Sequence, residues 1–318
     1  MTAGKGRPVP DLQSRQWPGV SVVVPTRDRP KALAHAVRSI LEQRYEGDID
    51  VLVVFDQSEI REIEVDQRTV GRVRTMANAR APGLAGARNT GILAADGELV
   101  AFCDDDDEWF PDKLRSQVKR LVERPDASAA TTGIVVDFQG HTFERVAPAD
   151  AVTFDMLLRS RHMELHPSTF LARRRDLIED DGLLDEAIPG SYGEDYEWLL
   201  RRARRGPVLA VRRPLARVHW HRSSWFNGRW DVIAEALSYL LERYPEFSTE
   251  RRGIARVRGQ VAFAHAAARH PEAARRWAWN ALSANPLERR AIAALVVSTG
   301  LIPAQGIVDL ANRFGRGI

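Results

Sequence analysis

Cysteine is almost missing from this chain: 318 residues carry one, Cys103. A single thiol permits no intrachain disulfide and no multi-cysteine zinc site, which fits a reducing compartment. Long apolar runs are missing too. The longest, Val51 to Phe55 and Ala291 to Val297, fall far short of the roughly 20 residues a bilayer span needs, so no helix is expected to cross a membrane. The first 17 residues lack the apolar core of a signal peptide. They read as part of a flexible tail over residues 1–18, with the cytoplasm as default location. Lysine is scarce, at four of 46 basic residues. The arginine bias suits anion recognition by guanidinium forks, although a GC-rich genome gives the same bias. Net charge is +3, too nearly balanced for a nucleic-acid binder, and the densest charge cluster is acidic and would repel phosphates without a metal.

What is present is ordinary soluble composition, 44% hydrophobic and 28% charged, with length enough for one large or two ordinary domains. Val20 to Val24 and Ile49 to Phe55 are apolar on both faces, as buried parallel strands are. Between them Leu33, Ala36, Val37, Ile40 and Leu41 recur at helical spacing after Pro30. A third strand-like run, Leu99 to Cys103, follows a helix-like Ala87 to Ala95, and Pro111 opens another helix. This alternation predicts a doubly wound α/β sheet. From about Thr131 the pattern turns mixed, with strands expected at Gly133 to Phe138 and Thr169 to Ala172 and a helix near Tyr196 to Arg204. Antiparallel members are expected there. Beyond Trp230 the chain reads helical, in segments Arg252 to Ala268, Pro271 to Ala284 and Leu287 to Val297. The organisation is therefore a tail (1–18), an α/β domain (19–229) and a smaller helical C-terminal domain (230–318).

In open α/β sheets, ligands bind beyond the carboxyl ends of the strands. Three acid-bearing segments fall there: Pro25-Thr26-Arg27-Asp28, Asp56-Gln57-Ser58, and Asp104-Asp105-Asp106-Asp107. Four successive aspartates repel one another, so a cation is expected among them. Hard carboxylate oxygens suit Mg²⁺ or Mn²⁺ bridging to substrate phosphates. The plainer alternative is a solvated acidic loop capping the helix at Pro111.

These residues resemble family 2 glycosyltransferases, which have the GT-A fold. The resemblance lies in Val20 to Arg29, in the block from Gly83 through Gly86-Ala87-Arg88-Asn89-Thr90-Gly91 to Asp104-Asp105-Asp106-Asp107-Glu108-Trp109, in His166-Pro167-Ser168-Thr169, and in Gly193-Glu194-Asp195-Tyr196-Glu197-Trp198. It covers about Gly19 to Trp225 and leaves the C-terminal helices unexplained. The resemblance implies an inverting transfer of a sugar from a UDP, TDP or GDP sugar to a hydroxyl acceptor. It places Asp56 on the nucleotide base, Pro25, Thr26 and Arg27 along the nucleotide, and Asp104 and Asp105 near ribose and phosphate. Asp106 is the implied metal ligand, with His221 beside the diphosphate and metal, and Arg88 neutralising leaving-group charge. Asp195 is the implied general base, with His166, Glu194 and Trp198 on the acceptor side. Two departures stand out. Phe55 replaces the first of two acids often found after the second strand, and Asp181-Gly182-Leu183-Leu184-Asp185 replaces the usual Gly-Gly-Phe-Asp.

Each feature also has a plainer explanation. Acids enrich first helical turns, which would account for Glu194-Asp195. His219 and His221 would share one face of an extended segment, as core or surface histidines often do. The arginine clusters at 173–175, 201–205 and 212–213 would meet an anionic acceptor or simply line solvated faces. Trp225, Phe226 and Trp230 would touch a membrane surface, stack on sugars or form a domain seam. Two rival functions remain: a metal-dependent nucleotidyltransferase, although Pro25 to Arg29 has no glycine and no lysine for a phosphate loop, and a non-catalytic calcium-binding module. Oligomeric state and acceptor are not legible.

Overall fold

The β-branched run after Gly19 forms strand β1 (Val20–Thr26) in a computed structural model that describes residues 17–63, 71–138, 140–179, 182–220 and 228–313. The expected tail, residues 1–16 of it, lies outside the described residues. β1 is buried along its whole length, as a strand apolar on both faces is at the centre of a parallel sheet. It pairs in parallel with β2 (Ile49–Phe55) on one side. The other strands, in chain order, are β3 (Arg72–Ala77), β4 (Leu99–Phe102), β5 (Glu108–Trp109), β6 (Ala129–Phe138), β7 (His141–Arg145), β8 (Ala151–Val152), β9 (Leu171–Arg173) and β10 (Val208–His219). The sheet runs β3-β2-β1-β4-β9-β6-β10-β5, with β7 on β6 and β8 on β10.

The first four places in that order are all parallel. β9 then runs antiparallel to both β4 and β6, the antiparallel turn expected from the second half of the sequence. β3 is unexpected. It carries Arg72 and Arg74 in place of an apolar alternation, because it is an edge strand whose arginines pair with Asp50 of β2. β10 is unexpected in length: Arg212-Arg213-Pro214 interrupts it in sequence, and the register slips on both sides of Pro214, where a residue without an N–H cannot serve the ladder.

Helices α1 (Pro30–Leu41), α2 (Leu84–Ala94) and α3 (Lys113–Glu123) connect the early strands. α1 turns Leu33, Ala36, Val37, Ile40 and Leu41 inward, the stripe its spacing predicts. α2 has almost no polar face, being buried from Ala85 to Ile92. Its glycines permit this close approach: a Cβ on Gly91 would stand 2.3 Å from a methyl of Val23 in β1, and one on Gly86 would stand 1.9 Å from the Ala81 carbonyl.

The later helices are α4 (Phe154–Arg159), α5 (Arg174–Ile178), α6 (Glu194–Arg205), α7 (Trp230–Arg243), α8 (Arg251–Ala267), α9 (Pro271–Ala284), α10 (Arg289–Val297) and α11 (Ala304–Arg313). α8 and α10 lie within two residues of their expected bounds, and α9 matches its own. The chain divides into two compact units. One comprises Met1–Thr153, His162–Leu184 and Arg201–His221, and the other Phe154–Arg161, Asp185–Leu200 and Arg222–Ile318. The first unit holds the sheet and a core built from one face of β1, β2 and β4 with α1 and α3. In the second, alanines of α8, α9 and α10 pack with Phe263 into a small-residue core. No helix among the described residues is long and apolar enough to cross a membrane.

Candidate active site

Because β1, β2 and β4 are parallel neighbours, the segments that follow them emerge at one edge. The Asp56 amide donates to the Thr26 carbonyl at 2.9 Å, and the Cys103 amide to Val23 at 3.1 Å. Asp28 and Gln57, just past β1 and β2, adopt φ of +54° and +51°, a left-handed conformation uncommon outside glycine that concentrates at ligand sites.

Asp56 is buried, and its carboxylate is held from three sides. Asn78 Nδ2 reaches Oδ1 at 2.8 Å, while the Gly83 amide and Gln57 Nε2 each reach Oδ2 at 3.1 Å. Asn78 follows β3, so the unexpected edge strand delivers a residue that sequence reasoning missed. Asn78 also donates to the Ala81 carbonyl and accepts from the Arg80 amide and the Thr90 hydroxyl. Around Asp56 opens a cleft of about 540 Å³ lined by Phe55, Gln57, Asn78, Arg80 and Pro82, a size that suits a small ligand such as a nucleoside.

After β4 the four aspartates divide by a turn. The Asp107 amide donates to the Asp104 carbonyl at 3.1 Å, a bond between first and fourth residues that brings these two side by side and leaves Asp105 and Asp106 at the tip. Arg29 takes the tip, its Nη1 on Asp106 Oδ2 and its Nη2 3.3 Å from Asp105 Oδ1. Asp105 also accepts from the Thr26 hydroxyl at 2.7 Å. Burial raises its carboxyl pKa to about 6, against Arg29 and Thr26, which hold it down.

At the base of the turn, Asp104 accepts from Arg88 Nη2 at 2.6 Å. Arg88 is buried on α2, its charge met by this carboxylate. Asp107 is buried beneath. Burial, then Asp104 and Asp106, push its carboxyl well above the usual range, while Ser168 and His219 draw it down. The Ser168 hydroxyl donates to Asp107 Oδ2 and accepts from the Asp104 amide at 2.9 Å. His166 caps the short turn Pro167–Thr169, its Nδ1 accepting from the Ser168 amide at 3.3 Å and lying 3.4 Å from Asp107 Oδ2. One ligand atom each from Asp104, Asp107 and His166 lies within 4.8 Å of the others. Two carboxylates and an imidazole around a buried, like-charged turn form a donor set that fits Mn²⁺ or Mg²⁺.

The structure thus brings together Thr26, Arg88, Asp104, Asp105, Asp106 and His166 of the sequence-predicted residues. The sequence resemblance put the metal on Asp106 with His221, whereas the structure sets Asp107 and His166 beside Asp104 and turns Asp106 to Arg29. Asp107, Ser168 and Arg29 lay inside the sequence motifs without a role of their own, and Asn78 was missed. A pattern-based signal existed only for Asp107, whose partner three residues back becomes its neighbour once a turn is assumed. Pro25 is buried within β1, and Arg27 is half-buried at its end. His221 lies outside the described residues, as do Trp225 and Phe226.

In the second unit, Glu194 and Asp195 open α6. Glu194 is buried, and Trp198 is a fully buried core residue. Glu197, on the same turns, is also buried and accepts from the Tyr244 hydroxyl at 2.7 Å. Asp195 accepts from Arg161 on both carboxylate oxygens.

Among known proteins, the UDP-Glc:α-D-GlcNAc-diphosphoundecaprenol β-1,3-glucosyltransferase WfgD of Escherichia coli is 26% identical over 141 residues, 44% of this chain and 55% of that protein. The chain spans about half the length of the curated relatives it matches first. Among solved structures, S. aureus TarS 1-349 in complex with UDP-GlcNAc superposes with a TM-score of 0.56 at 18% identity, covering 93% of this chain and 92% of that one. The mannosyltransferase PcManGT from Pyrobaculum calidifontis, in complex with GDP-Man and Mn²⁺, gives 0.52 at 18% identity over 98% and 84%. At that identity the likeness establishes a shared fold, the expected GT-A-type mixed sheet followed by helices. Residues 21–182, just over half of the chain, match the profile of Glycosyl transferase family 2, and the chain belongs to that family.

Proposed function

We propose that this protein transfers a sugar from a nucleoside-diphosphate sugar to a hydroxyl group, with inversion at the anomeric carbon. The observation that carries this reading is the pairing, at one sheet edge, of a nucleoside-sized cleft at Asp56 with an oxygen-rich donor set at Asp104, Asp107 and His166. Family membership supports it, as do neighbours of the same fold solved in complex with UDP-GlcNAc or GDP-Man.

In this reading the base stacks in the cleft and Asp56 accepts a hydrogen bond from it, with Thr26 and Arg27 along the nucleotide. Asp104, Asp107 and His166 would hold Mn²⁺ or Mg²⁺, whose chemistry is to neutralise charge growing on the leaving diphosphate. Arg88 adds fixed positive charge at Asp104, already buried and so needing little reorganisation. The acceptor oxygen forms its bond to the anomeric carbon as the bond from that carbon to the β-phosphate oxygen breaks. The leaving nucleoside diphosphate keeps the electron pair, and the acceptor's proton passes to Asp195 as general base. Glu194 and Trp198 belong to the acceptor-side segment, Trp198 from within the core, while His166, expected there, serves the donor set instead. A lipid-linked glycan is the acceptor class that the similarity to WfgD favours. Contact with the inner face of a membrane would follow from such an acceptor.

The test is purified protein with Mn²⁺ or Mg²⁺ and a panel of UDP, TDP and GDP sugars. Release of nucleoside diphosphate supports the transferase. Pyrophosphate exchange would instead support a nucleotidyltransferase, and silence with tight calcium binding a non-catalytic module.

A further inference from the structure

Asp195 is held by more than a helix terminus. Nη2 of Arg161, two residues past α4, lies 2.8 Å from Asp195 Oδ1 and 3.0 Å from Oδ2. The guanidinium sits against two rings, with centroids at 6.0 Å for Tyr192 and 5.9 Å for Tyr196. Tyr196 is itself fixed, donating its hydroxyl proton to the Leu157 carbonyl and accepting from Arg256 Nη2 of α8 at 2.8 Å. Asp195 is thereby tied through Arg161 to α4, α6 and α8. A solvated acid in a first helical turn needs no such scaffold.

We propose that Arg161 is a positioning residue that fixes the carboxylate of Asp195 in one orientation and keeps it ionised, ready to take the acceptor's proton. This rests on the reading of Asp195 as general base.

Two opposing effects act on this carboxylate. Its side chain is mostly buried, at 14% exposure, which favours the neutral acid; a cation at hydrogen-bond distance favours the anion. Glu194 adds like charge from the same turn. Burial works against the Arg161 charge, but Asp195, Tyr192 and Glu194 outweigh it and hold the guanidinium protonated above its ordinary range. From α8, Arg256 faces the pair across Tyr196, and α7 contributes the apolar Ala236, Leu237 and Leu240. Removing Arg161 takes away the cation at hydrogen-bond distance and leaves burial and Glu194 pushing the carboxylate toward the neutral acid.

The experiment compares Arg161→Gln, Arg161→Lys and Asp195→Asn, reading kcat as nucleoside-diphosphate release across pH, with KM for the donor. For Arg161→Gln the acid limb of kcat is expected to rise by about one pH unit or more, with donor KM within about twofold of wild type. An unmoved acid limb in a folded Arg161→Gln protein overturns the proposal. Arg161→Lys keeps the charge but not the planar fork. It should hold the acid limb near its wild-type position while kcat falls at least about threefold, and an undiminished kcat overturns the positioning role even if Arg161→Gln fails to fold. Asp195→Asn separates the two levels. Full turnover in that variant removes Asp195 as base, and the proposal with it, whereas a silent Asp195→Asn beside an unmoved Arg161→Gln profile sinks the pairing alone.

Discussion

The amide of Asp107 is hydrogen-bonded to the carbonyl of Asp104 at 3.1 Å, and this one bond decides which of four consecutive aspartates face His166 and which face Arg29. If the donor set is Asp104, Asp107 and His166, then Asp107→Asn should weaken Mn²⁺ binding on the order of tenfold or more, while Asp106→Asn, at the tip, should change it by less. Manganese titration followed by electron paramagnetic resonance measures both. Equal losses would show that the tip also ligates.

Asn78 orders the cleft around Asp56 through its 2.8 Å bond to the carboxylate. Asn78→Ala leaves that acid short of a donor and frees the loop after β3. Binding of nucleoside diphosphates should weaken about five- to thirtyfold, by about 1 to 2 kcal/mol, while binding of inorganic pyrophosphate with Mn²⁺ stays as in wild type. Calorimetry with the two ligands distinguishes a base-side from a phosphate-side effect.

Gly91 gives α2 its contact with β1. Adding a methyl 2.3 Å from Val23 overpacks a buried interface, a cost of about 1 to 3 kcal/mol. Gly91→Ala should therefore lower Tm by several degrees, and Val23→Ala in the same chain should restore part of the loss. Thermal unfolding of the single and double variants gives the coupling, and a double variant no better than the sum of singles would place the strain elsewhere.

Lys113 is wholly buried at the start of α3, its Nζ 3.6 Å above the Trp109 ring and 2.7 Å from Gln117 Oε1. Burial lowers its pKa from 10.5 to about 7. Between those values the unfolded chain binds the extra proton, so stability gains a contribution that grows as pH rises above 7 and is missing below it. Lys113→Met removes that slope. The variant should gain stability relative to wild type at pH 6, and the gain should shrink by pH 8, where the Cys103 thiol of the unfolded chain is still mostly protonated. Urea unfolding of both proteins at the two pH values tests it, and a difference independent of pH contradicts it.

The strands β1, β2 and β4 were legible because residues buried on both faces leave uninterrupted apolar runs, and the late helices because proline and a 3.6-residue period mark them. β3 was hidden by Arg72 and Arg74, since an edge strand gains its stability from cross-strand pairing with Asp50 and not from an apolar stripe. β10 was hidden by Pro214 and its bulges. At the site, the residue types were legible and their partners were not. Asp107 meets Ser168 across 61 positions of chain, and Arg29 meets Asp106 across 77, distances over which spacing carries no information. The same holds for Arg161 and Asp195, whose pairing follows from the way α4 returns to α6.

The most direct measurement is calorimetry of UDP, TDP and GDP binding with and without Mn²⁺, on the wild type and on Asp104→Asn. The account predicts that at least one nucleotide binds, that Mn²⁺ tightens it at least about tenfold, and that the gain is lost in Asp104→Asn. No binding of any of the three in either condition, or a manganese gain that survives in Asp104→Asn, would contradict it.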